Sequence, residues 1–551
     1  AGNLLAATNN TTATWDRARF QKEVRHRIVQ NVIWTMSAGG EHDFSGFELD
    51  YSLSFNRSEQ TYPTRYQLRY RSSLRPEVSY DYTNFDEPAI SLFQTNEHLD
   101  LGAYAFRQFD EREQDTIKDE WAARANVTFQ GGLFGQAAEH RFGASARLTD
   151  ATTDENRWRS RDNSFAPPLG LAGMLGDQPS QNFGYFLGNK FDQGRQGEWH
   201  GSFRSAVRQP GNVRASQSIT GDYSVDENIY AAYGMTEFDF GNTSVITGLR
   251  VEHTDFSSTA FRFNEDTDEA VANSNSRQYT NWFPNLTVRH EFSENLVGRF
   301  ALTRAISRPN YPDVVARISA GDTAPLTVRR GNPDLNPTLA NNVDAGLEYY
   351  LETLGLLAVN VFYKDLEDYE FTLRTPGEFE GLPATFVQAE NAPDGYIRGV
   401  ELTWQQGFSF LPGLLGNTGI FANLTVTDSE MDIGRTVGGR SAFPLQGQSD
   451  TVYNVSLFYE TDRFNARLSY NDRSDYLDSV STSGPDFDIY WEGRSQLDFT
   501  AAYEFTDSFE LFFEAKNLTN TDGVRYQGVR ERVYEREAFG YTLFLGARFS
   551  Y

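Results

Sequence analysis

The histidines, cysteines and short motifs that carry catalysis in other proteins are scattered or missing in this sequence. Its seven histidines lie far apart, and no two of them have the spacing of a zinc site. There is no Gly-x-Ser-x-Gly turn and no glycine-rich phosphate loop. The absence of cysteine removes thiolate metal sites, cysteine nucleophiles and disulfides together. The sequence therefore predicts neither an enzyme nor a protein with a bound metal or cofactor.

Binding chemistry is concentrated in one long polar segment, residues 151–227, where aromatic residues stand among Arg, Asn and Gln. Exposed aromatic faces beside amides suit a sugar ring or an aromatic chelator, because stacking and directional hydrogen bonds act together. The candidate ligand-binding residues are Trp158, Phe183, Tyr185, Phe186 and Trp199. The favoured alternative is that these aromatics pack a small core within the loop itself or mark the ends of extended strands.

Two charged clusters suggest further binding chemistry. The acidic run at residues 265–269 has the oxygen ligands that Ca²⁺ prefers, but such a loop is more simply explained as solvated. Arg329 and Arg330 could meet an anionic ligand or the phosphates of lipopolysaccharide, and their alternative role is to pair with neighbouring carboxylates.

Composition decides which kind of protein could hold these residues. Aromatic residues make up 14% of the chain and mean hydropathy is -0.56. The longest nearly apolar stretch, Leu354 to Tyr363, is too short for a membrane helix, which needs about 20 residues, but long enough for a membrane strand of about 9–11 residues. The net charge of -27 argues against a nucleic-acid partner. Helical membrane spans are excluded and a β-barrel is permitted.

The last segment shows the expected strand period most clearly. One of its faces carries Tyr541, Leu543, Leu545, Ala547, Phe549 and Tyr551. An apolar face with aromatics at both ends is typical of a strand that crosses a bilayer and turns its other face to a wet lumen. The same alternation recurs at residues 357–363, 453–470, 497–505 and 509–515. It predicts an all-β, antiparallel transmembrane barrel.

Short and long connections alternate along the chain, as they do in barrels with tight periplasmic turns and long external loops. Tight turns are predicted near residues 39–43, 131–136, 241–243, 293–295, 352–355, 461–463 and 506–508. Long excursions are predicted at 151–227, the longest, and at 256–275, 306–338, 431–445, 476–493 and 520–535. These segments give about 19 strands. No repeat with the period of propeller blades is present.

Five motifs resemble those of TonB-dependent outer-membrane receptors. They are Tyr279–Leu286, Arg299–Tyr311, Gly331–Pro337, Ile397–Glu401 and Lys516–Asn520. The third is similar to the family's strand-entry motif and the fourth to its strand start. The aromatic terminus resembles the signal read by the barrel assembly machinery.

Two elements within these motifs and a third far before them are most similar to the Caulobacter-type group of the family. They are Trp282 with Pro284, Ser307–Pro309 and Asp119–Arg124.

The resemblance implies the barrel of an active importer in the outer membrane of a Gram-negative bacterium. An external ligand, an oligosaccharide or a siderophore, would enter with energy from the TonB complex acting through a plug domain. Family barrels have 22 strands, so the whole of residues 1–551 is expected to be the C-terminal portion of such a barrel, without the plug. Its first strand, Gln21 to Ser37, is expected to correspond to the fourth strand of the family barrel. The resemblance also implies contact with lipopolysaccharide and outer-membrane lipids. The alternatives are a passive porin-like channel and a surface binding protein without transport.

Overall fold

The computed structural model describes residues 4–7, 11–84, 88–162, 170–182, 184–264, 267, 269–321, 326–351 and 355–550. Most of this is strand, with a few short helices. Within these ranges, no helix has the length and apolar character needed to span a membrane.

Seventeen long antiparallel strands, numbered here with all others in chain order, form the barrel sheet. They are β3 (Gln21–Phe44), β4 (Phe47–Ser72), β7 (Tyr104–Leu133), β8 (Gln136–Ser160), β11 (Tyr223–Phe240), β12 (Thr243–Asn264), β13 (Glu269–Ser293), β14 (Leu296–Ser307), β17 (Thr338–Leu351), β18 (Gly355–Phe379), β19 (Leu382–Gly407), β20 (Thr418–Val437), β22 (Thr451–Glu460), β23 (Phe464–Arg473), β26 (Arg494–Thr506), β27 (Phe509–Lys516) and β30 (Thr542–Phe549). Each pairs with the next in this order. Within the described ranges, no backbone pairing joins β3 to β30.

The remaining elements precede the first wall strand or lie in the connections between wall strands. The strands are β1 (Leu4–Ala7), β2 (Thr12–Trp15), β5 (Val78–Asp81), β6 (Ala89–Ile90), β9 (Leu175–Asn182), β10 (Tyr185–Phe191), β15 (Ile318–Ala320), β16 (Leu326–Arg330), β21 (Arg440–Phe443), β24 (Tyr476–Ser481), β25 (Ile489–Trp491), β28 (Gly523–Gln527) and β29 (Val529–Glu537). The helices are α1 (Ser91–Gln94), α2 (Gln193–Val207), α3 (Ala215–Ile219) and α4 (Tyr311–Val314).

Cross-strand registers align the apolar faces that the sequence predicts. Phe509, Leu511 and Phe513 lie opposite Phe549, Ala547 and Leu545. Across the other hairpins, Leu457 pairs with Leu468 and Val359 with Leu402. A two-residue period sends alternate side chains to opposite faces, so these pairs form one apolar surface around the barrel. The predicted fold class is confirmed.

The connections differ from prediction in extent. The first tight turn lies at residues 45–46 rather than 39–43, because β3 and β4 stay paired down to Phe44 and Phe47. The excursion 256–275 is mostly an extended hairpin, since β12 and β13 pair from Phe256 to Asn264. In the same way, β8 and β11 narrow the excursion 151–227 to residues 161–222. Three connections, 73–103, 380–381 and 408–417, were not predicted.

The wall has 17 strands where the alternation indicates about 19, because some short alternating segments pair with each other outside the wall, as β9 does with β10 and β28 with β29. Both β3 and β30 run towards the periplasm, so the count must be odd. Which strand of a 22-strand barrel the first wall strand corresponds to stays a prediction. That the chain is a barrel portion lacking the plug stays a prediction.

The buried cores lie at the external end, where the strands extend beyond the membrane. One core joins Tyr66, Leu68 and Phe109 of the wall to Trp199 and Val207 of α2. A second joins residues of β8, β11 and β12 to Val314 and Val315 after β14. Bilayer and water surround the rest of the wall, so packing between layers occurs only where external segments fold onto it.

Candidate functional site

The two predicted binding tryptophans lie in the same buried core. Trp199 of α2 is only 5% exposed and packs edge-on against Phe109, with 5.0 Å between ring centroids. Trp158 of β8 is half-buried against this core, and the guanidinium of Arg208 lies 4.6 Å from its ring centroid. Both side chains therefore pack the loop onto the wall, and neither presents a free ring face.

Tyr185 and Phe186 lie apart from these tryptophans, on the ribbon of β9 and β10. The Tyr185 hydroxyl donates to the carbonyl of Pro88 at 3.2 Å, and its ring lies 5.2 Å from that of Phe93. Phe186 is 42% exposed, which leaves its ring available to a ligand. Phe183 lies outside the described residues. The structure therefore does not bring the five predicted residues together, and their ligand-binding role stays a prediction.

A buried carboxylate fixes α2 to the wall. Glu111 of β7, on the same strand face as Trp121, accepts hydrogen bonds from Arg204 at 3.1 Å and from Arg208 at 2.5 Å. Burial alone would raise the pKa of Glu111, but the adjacent His200 ring and the hydrogen-bonded Arg208 outweigh burial and hold this pKa below its usual value. Glu111 thus acts as a charged anchor for the longest helix of the external region.

Arginines from distant parts of the sequence meet on the external rim between β3 and β8. This group, the mouth arginine cluster, consists of Arg19, Arg71, Arg75, Arg107 and Arg161. Arg71 lies at the end of β4, Arg107 near the start of β7, and Arg161 directly after β8. The pairing of Arg71 with Ala105 and of Ser160 with Phe109 places these three strand ends side by side.

The electrostatics of the cluster are those of crowded cations. The pKa of Arg71 is lowered, first by burial and then by repulsion from Arg107 and Arg19. The pKa of Arg161 is lowered by burial and by Arg107 and Arg159, against a smaller opposing effect of Asp110. Repulsion of this kind is relieved when an anion binds between the cations.

The carboxylates near this rim are already engaged. Asp110 accepts hydrogen bonds from Arg159 and Gln108, both at 2.5 Å. The carbonyl oxygen of the Gln108 amide in turn accepts from Arg161 at 3.0 Å. A chain with a net charge of -27 therefore concentrates positive charge at its external mouth. Sequence reasoning missed the cluster because its members are spread from residue 19 to residue 161, although the alternating Arg157, Arg159 and Arg161 hinted at a basic strand face.

Arg329 and Arg330 form no ion pair within the described part of the chain. Arg330 instead lies over the ring of Phe386, with its guanidinium carbon 3.6 Å from the ring centroid, and Arg329 is exposed. Part of the neighbouring loop, residues 322–325, lies outside the described residues, so pairing of these arginines with loop carboxylates stays a prediction. The acidic run at 265–269 lies mostly outside the described residues, and no cluster of metal-ligating side chains is found among those that are described.

Comparison with known families decides what kind of barrel this is. The family model described as TonB dependent receptor-like, beta-barrel matches residues 43–518. The chain belongs to this family. Its members are outer-membrane receptors and transporters that bind external ligands and interact with TonB, so the predicted family and the predicted class of localisation are confirmed. No curated protein sequence matches the chain.

Solved structures show the same fold at low sequence identity. The ferric-catecholate import receptor Fiu from E. coli K12 is 11% identical, with a TM-score of 0.55 over 99% of this chain and 78% of that one. The copper transporter OprC is 13% identical, with a TM-score of 0.55 over 100% of this chain and 79% of that one. The ferric citrate transporter FecA is 12% identical, with a TM-score of 0.51 over 98% and 74%. At these identities the likeness shows the fold alone.

Proposed function

We propose that this receptor imports an anionic ligand across the outer membrane, with energy supplied by TonB through a plug domain. The observation that supports the proposal is the mouth arginine cluster, where cations crowd one another at the external end of a transport barrel. Guanidinium groups bind carboxylate and other anionic oxygens in paired hydrogen bonds. The ligand class is therefore a siderophore with carboxylate or catecholate oxygens, or an acidic oligosaccharide.

Two structural neighbours are named as a ferric-catecholate import receptor and a ferric citrate transporter, and both of these ligands have oxygen donors of this kind. They indicate which ligands to test first. A passive porin is disfavoured by family membership, whereas a surface binding protein without transport would share the same mouth. We also propose contacts of the outer apolar band with lipopolysaccharide and outer-membrane lipids, and insertion by the barrel assembly machinery.

Uptake of radiolabelled ferric citrate and ferric catecholates by cells that express the native receptor tests this function. The double variant Arg71→Gln, Arg161→Gln should lower uptake about tenfold or more, since each charged hydrogen bond contributes about 1.5–3 kcal/mol. Arg289→Gln is the control, because Arg289 pairs with Glu291 near a periplasmic turn. If neither chelate nor any acidic oligosaccharide is taken up in a TonB-dependent way, the proposal is wrong.

A further inference from the structure

The longest connection on the periplasmic side, residues 408–417 between β19 and β20, exposes large apolar side chains. Phe410 is 62% exposed, Leu414 76% and Leu415 58%. The stretch from Gly407 to Asn417 contains no charged residue. An exposed group of large apolar side chains marks a place that meets a membrane or another molecule. We call residues 408–417 the apolar connection.

The apolar connection lies below the outer face of the wall rather than below the lumen. The backbone ladder of β19 and β20 continues to Phe408, and a two-residue period places Phe408 on the same outer face as Trp404. The ring of Phe410 packs against that of Phe408, with 5.9 Å between centroids. At the other end of the connection, the Asn417 amide lies 3.5 Å from the hydroxyl of Tyr459, an outer-face residue of β22. Both ends are therefore turned towards the bilayer side of the wall.

Tyr459 is the first of a row of aromatic side chains along the periplasmic edge of the outer face. Its ring lies 6.0 Å from that of Phe464, which in turn lies 6.5 Å from that of Tyr503. Phe505 continues the row, 4.7 Å from Tyr503 and 5.5 Å from Phe509. Aromatic girdles mark the level at which the hydrocarbon core of a bilayer meets its headgroups. This contact therefore places the apolar connection at the interface of the periplasmic leaflet.

An apolar groove of about 720 Å³ lies on the outer face just above the apolar connection. One register row crosses the groove from Leu357 through Trp404 and Ala422 to Val455. Ala422 is the smallest of the four, so the floor is lowest there and the larger side chains form the walls. Trp404 and Phe408 are about 13 Å apart along the strand at roughly 3.3 Å per residue. One elongated molecule can therefore reach from the groove to the apolar connection.

The charges nearby indicate which headgroup would suit this place. The neighbouring periplasmic turn carries Glu460, Asp462 and Arg463, all of them exposed. Two carboxylates against one guanidinium disfavour an anionic headgroup and favour one that carries an ammonium group. A zwitterionic phospholipid combines such a headgroup with acyl chains that match the groove.

We infer that the groove and the apolar connection together bind a zwitterionic phospholipid of the periplasmic leaflet. An acyl chain lies along the groove over Ala422, and the headgroup lies at the level of Phe410 and Leu414. The inference rests on the proposed contacts of the outer band with membrane lipids and assigns one of them to a defined site. The apolar connection then acts as an interfacial anchor that fixes the depth of β19 and β20 in the membrane.

Spin labelling of the native receptor tests the position of the apolar connection. Residues 1–551 contain no cysteine, so Leu414→Cys introduces one labelling site, and the unsubstituted receptor gives the background. The receptor is reconstituted in vesicles of equal amounts of phosphatidylethanolamine and phosphatidylglycerol. We expect the label at position 414 to be severalfold more accessible to oxygen, relative to a water-soluble nickel chelate, than a label in the control Asp462→Cys. Equal ratios, or spin–spin broadening from a second copy, would overturn the inference.

Native mass spectrometry of receptor extracted from the same vesicles tests the groove. We expect one retained phosphatidylethanolamine, and Ala422→Phe should reduce the retained fraction severalfold because the added ring fills the floor. The matched control is Ala466→Phe, since Ala466 also lies on the outer face, paired with Tyr459 and Ala501. Equal retention in the two variants would identify the lipid as ordinary bilayer lipid and overturn the site. Preferential retention of phosphatidylglycerol would overturn the assigned headgroup.

Uptake of ferric chelates separates this inference from the proposed function. If the label at position 414 lies in water while TonB-dependent uptake persists, the lipid site is wrong and the proposed import stands. If the labelling and the Ala422→Phe result are as expected but no anionic ligand is taken up, the proposed import is wrong and the lipid site stands.

Discussion

Phe509 and Phe549 stack across the last pair of wall strands, with ring centroids 4.8 Å apart and 17° between the ring planes. Offset aromatic pairs of this kind contribute about 0.5–1.5 kcal/mol beyond their buried area. The pair lies at the periplasmic end of β27 and β30, where an aromatic girdle is expected. It therefore joins the C-terminal strand to its neighbour at the level of the membrane interface.

The Phe549→Ala variant should lower the amount of folded receptor in the outer membrane, because the last strand loses both this stack and its interfacial anchor. Heat-modifiable migration in gel electrophoresis measures the folded fraction. Arg548→Ala is the control, since Arg548 lies on the opposite face and forms an exposed ion pair with Glu510 at 2.9 Å. Equal loss in both variants would show that the stack has no specific role.

A charge on the apolar band should prevent stable insertion, whereas the same charge on the lumenal face should not. Leu402 lies between Val359 and Leu424 and borders an apolar groove of about 720 Å³ on the outer surface. An arginine at the bilayer midplane costs about 2–4 kcal/mol. Leu402→Arg should therefore lower the urea concentration at the midpoint of the folding transition in lipid vesicles. Thr403→Arg should leave this midpoint nearly unchanged. A shift of equal size in both would contradict the assigned faces.

The wall could be predicted from the sequence because the bilayer imposes a two-residue period that no other contact overrides. Leu357, Val359 and Val361 needed only this rule to be assigned to the outer face. Turn positions were less predictable, as at residues 39–43, because pairing continues into the turn whenever both strands tolerate it.

The external region could not be predicted in the same way, since its contacts join residues that are far apart in sequence. Trp199 is buried because Phe109 lies beneath α2. Nothing in the sequence near either residue indicates that the two side chains will be in contact. Likewise, Arg71 and Arg161 become neighbours only through the registers of β4, β7 and β8. For Trp199, the favoured alternative, in which the loop aromatics pack a core, agrees with its buried position. The mouth arginine cluster nearby left no recognisable motif in the sequence.

Removing the Glu111 carboxylate should release α2 from the wall. Among the described residues, its partners Arg204 and Arg208 would then keep Glu113 as their only carboxylate, and Glu113 is partly exposed. Breaking a buried charged contact costs about 3 kcal/mol, so Glu111→Ala should make trypsin cleave after Arg204 or Arg208 much faster in the folded receptor. Glu113→Ala is the matched control, with a smaller effect. Unchanged proteolysis in Glu111→Ala would show that α2 is held by its apolar contacts alone.

Protonation of the Glu111 carboxylate at acidic pH should also weaken the attachment of α2 to the wall. Its folded-state pKa lies below the usual value of 4.5, so its stabilising contribution is fully present above that value. The contribution is lost as pH falls through the folded-state pKa. Wild-type receptor should therefore become sensitive to an acid protease such as pepsin in the α2 region only at strongly acidic pH, whereas Glu111→Ala should show no such transition.

Asp222, between α3 and β11, should give the opposite pH dependence. Burial, with smaller contributions from Asp154 and Glu155, raises the pKa of Asp222 to about 7, although its carboxylate accepts a hydrogen bond from the Glu155 amide at 2.6 Å. Because the folded-state pKa exceeds the ordinary value of 3.8, the folded form retains the proton, and local stability falls as pH rises from about 4 to 7 and is then constant. Hydrogen exchange of residues 215–222 should accelerate over this range beyond the intrinsic rate, and Asp222→Asn should remove the acceleration. Asp226 is exposed and lies four positions further along, so the control Asp226→Asn should retain the acceleration of exchange. If the acceleration persists in Asp222→Asn, another group is responsible for the titration.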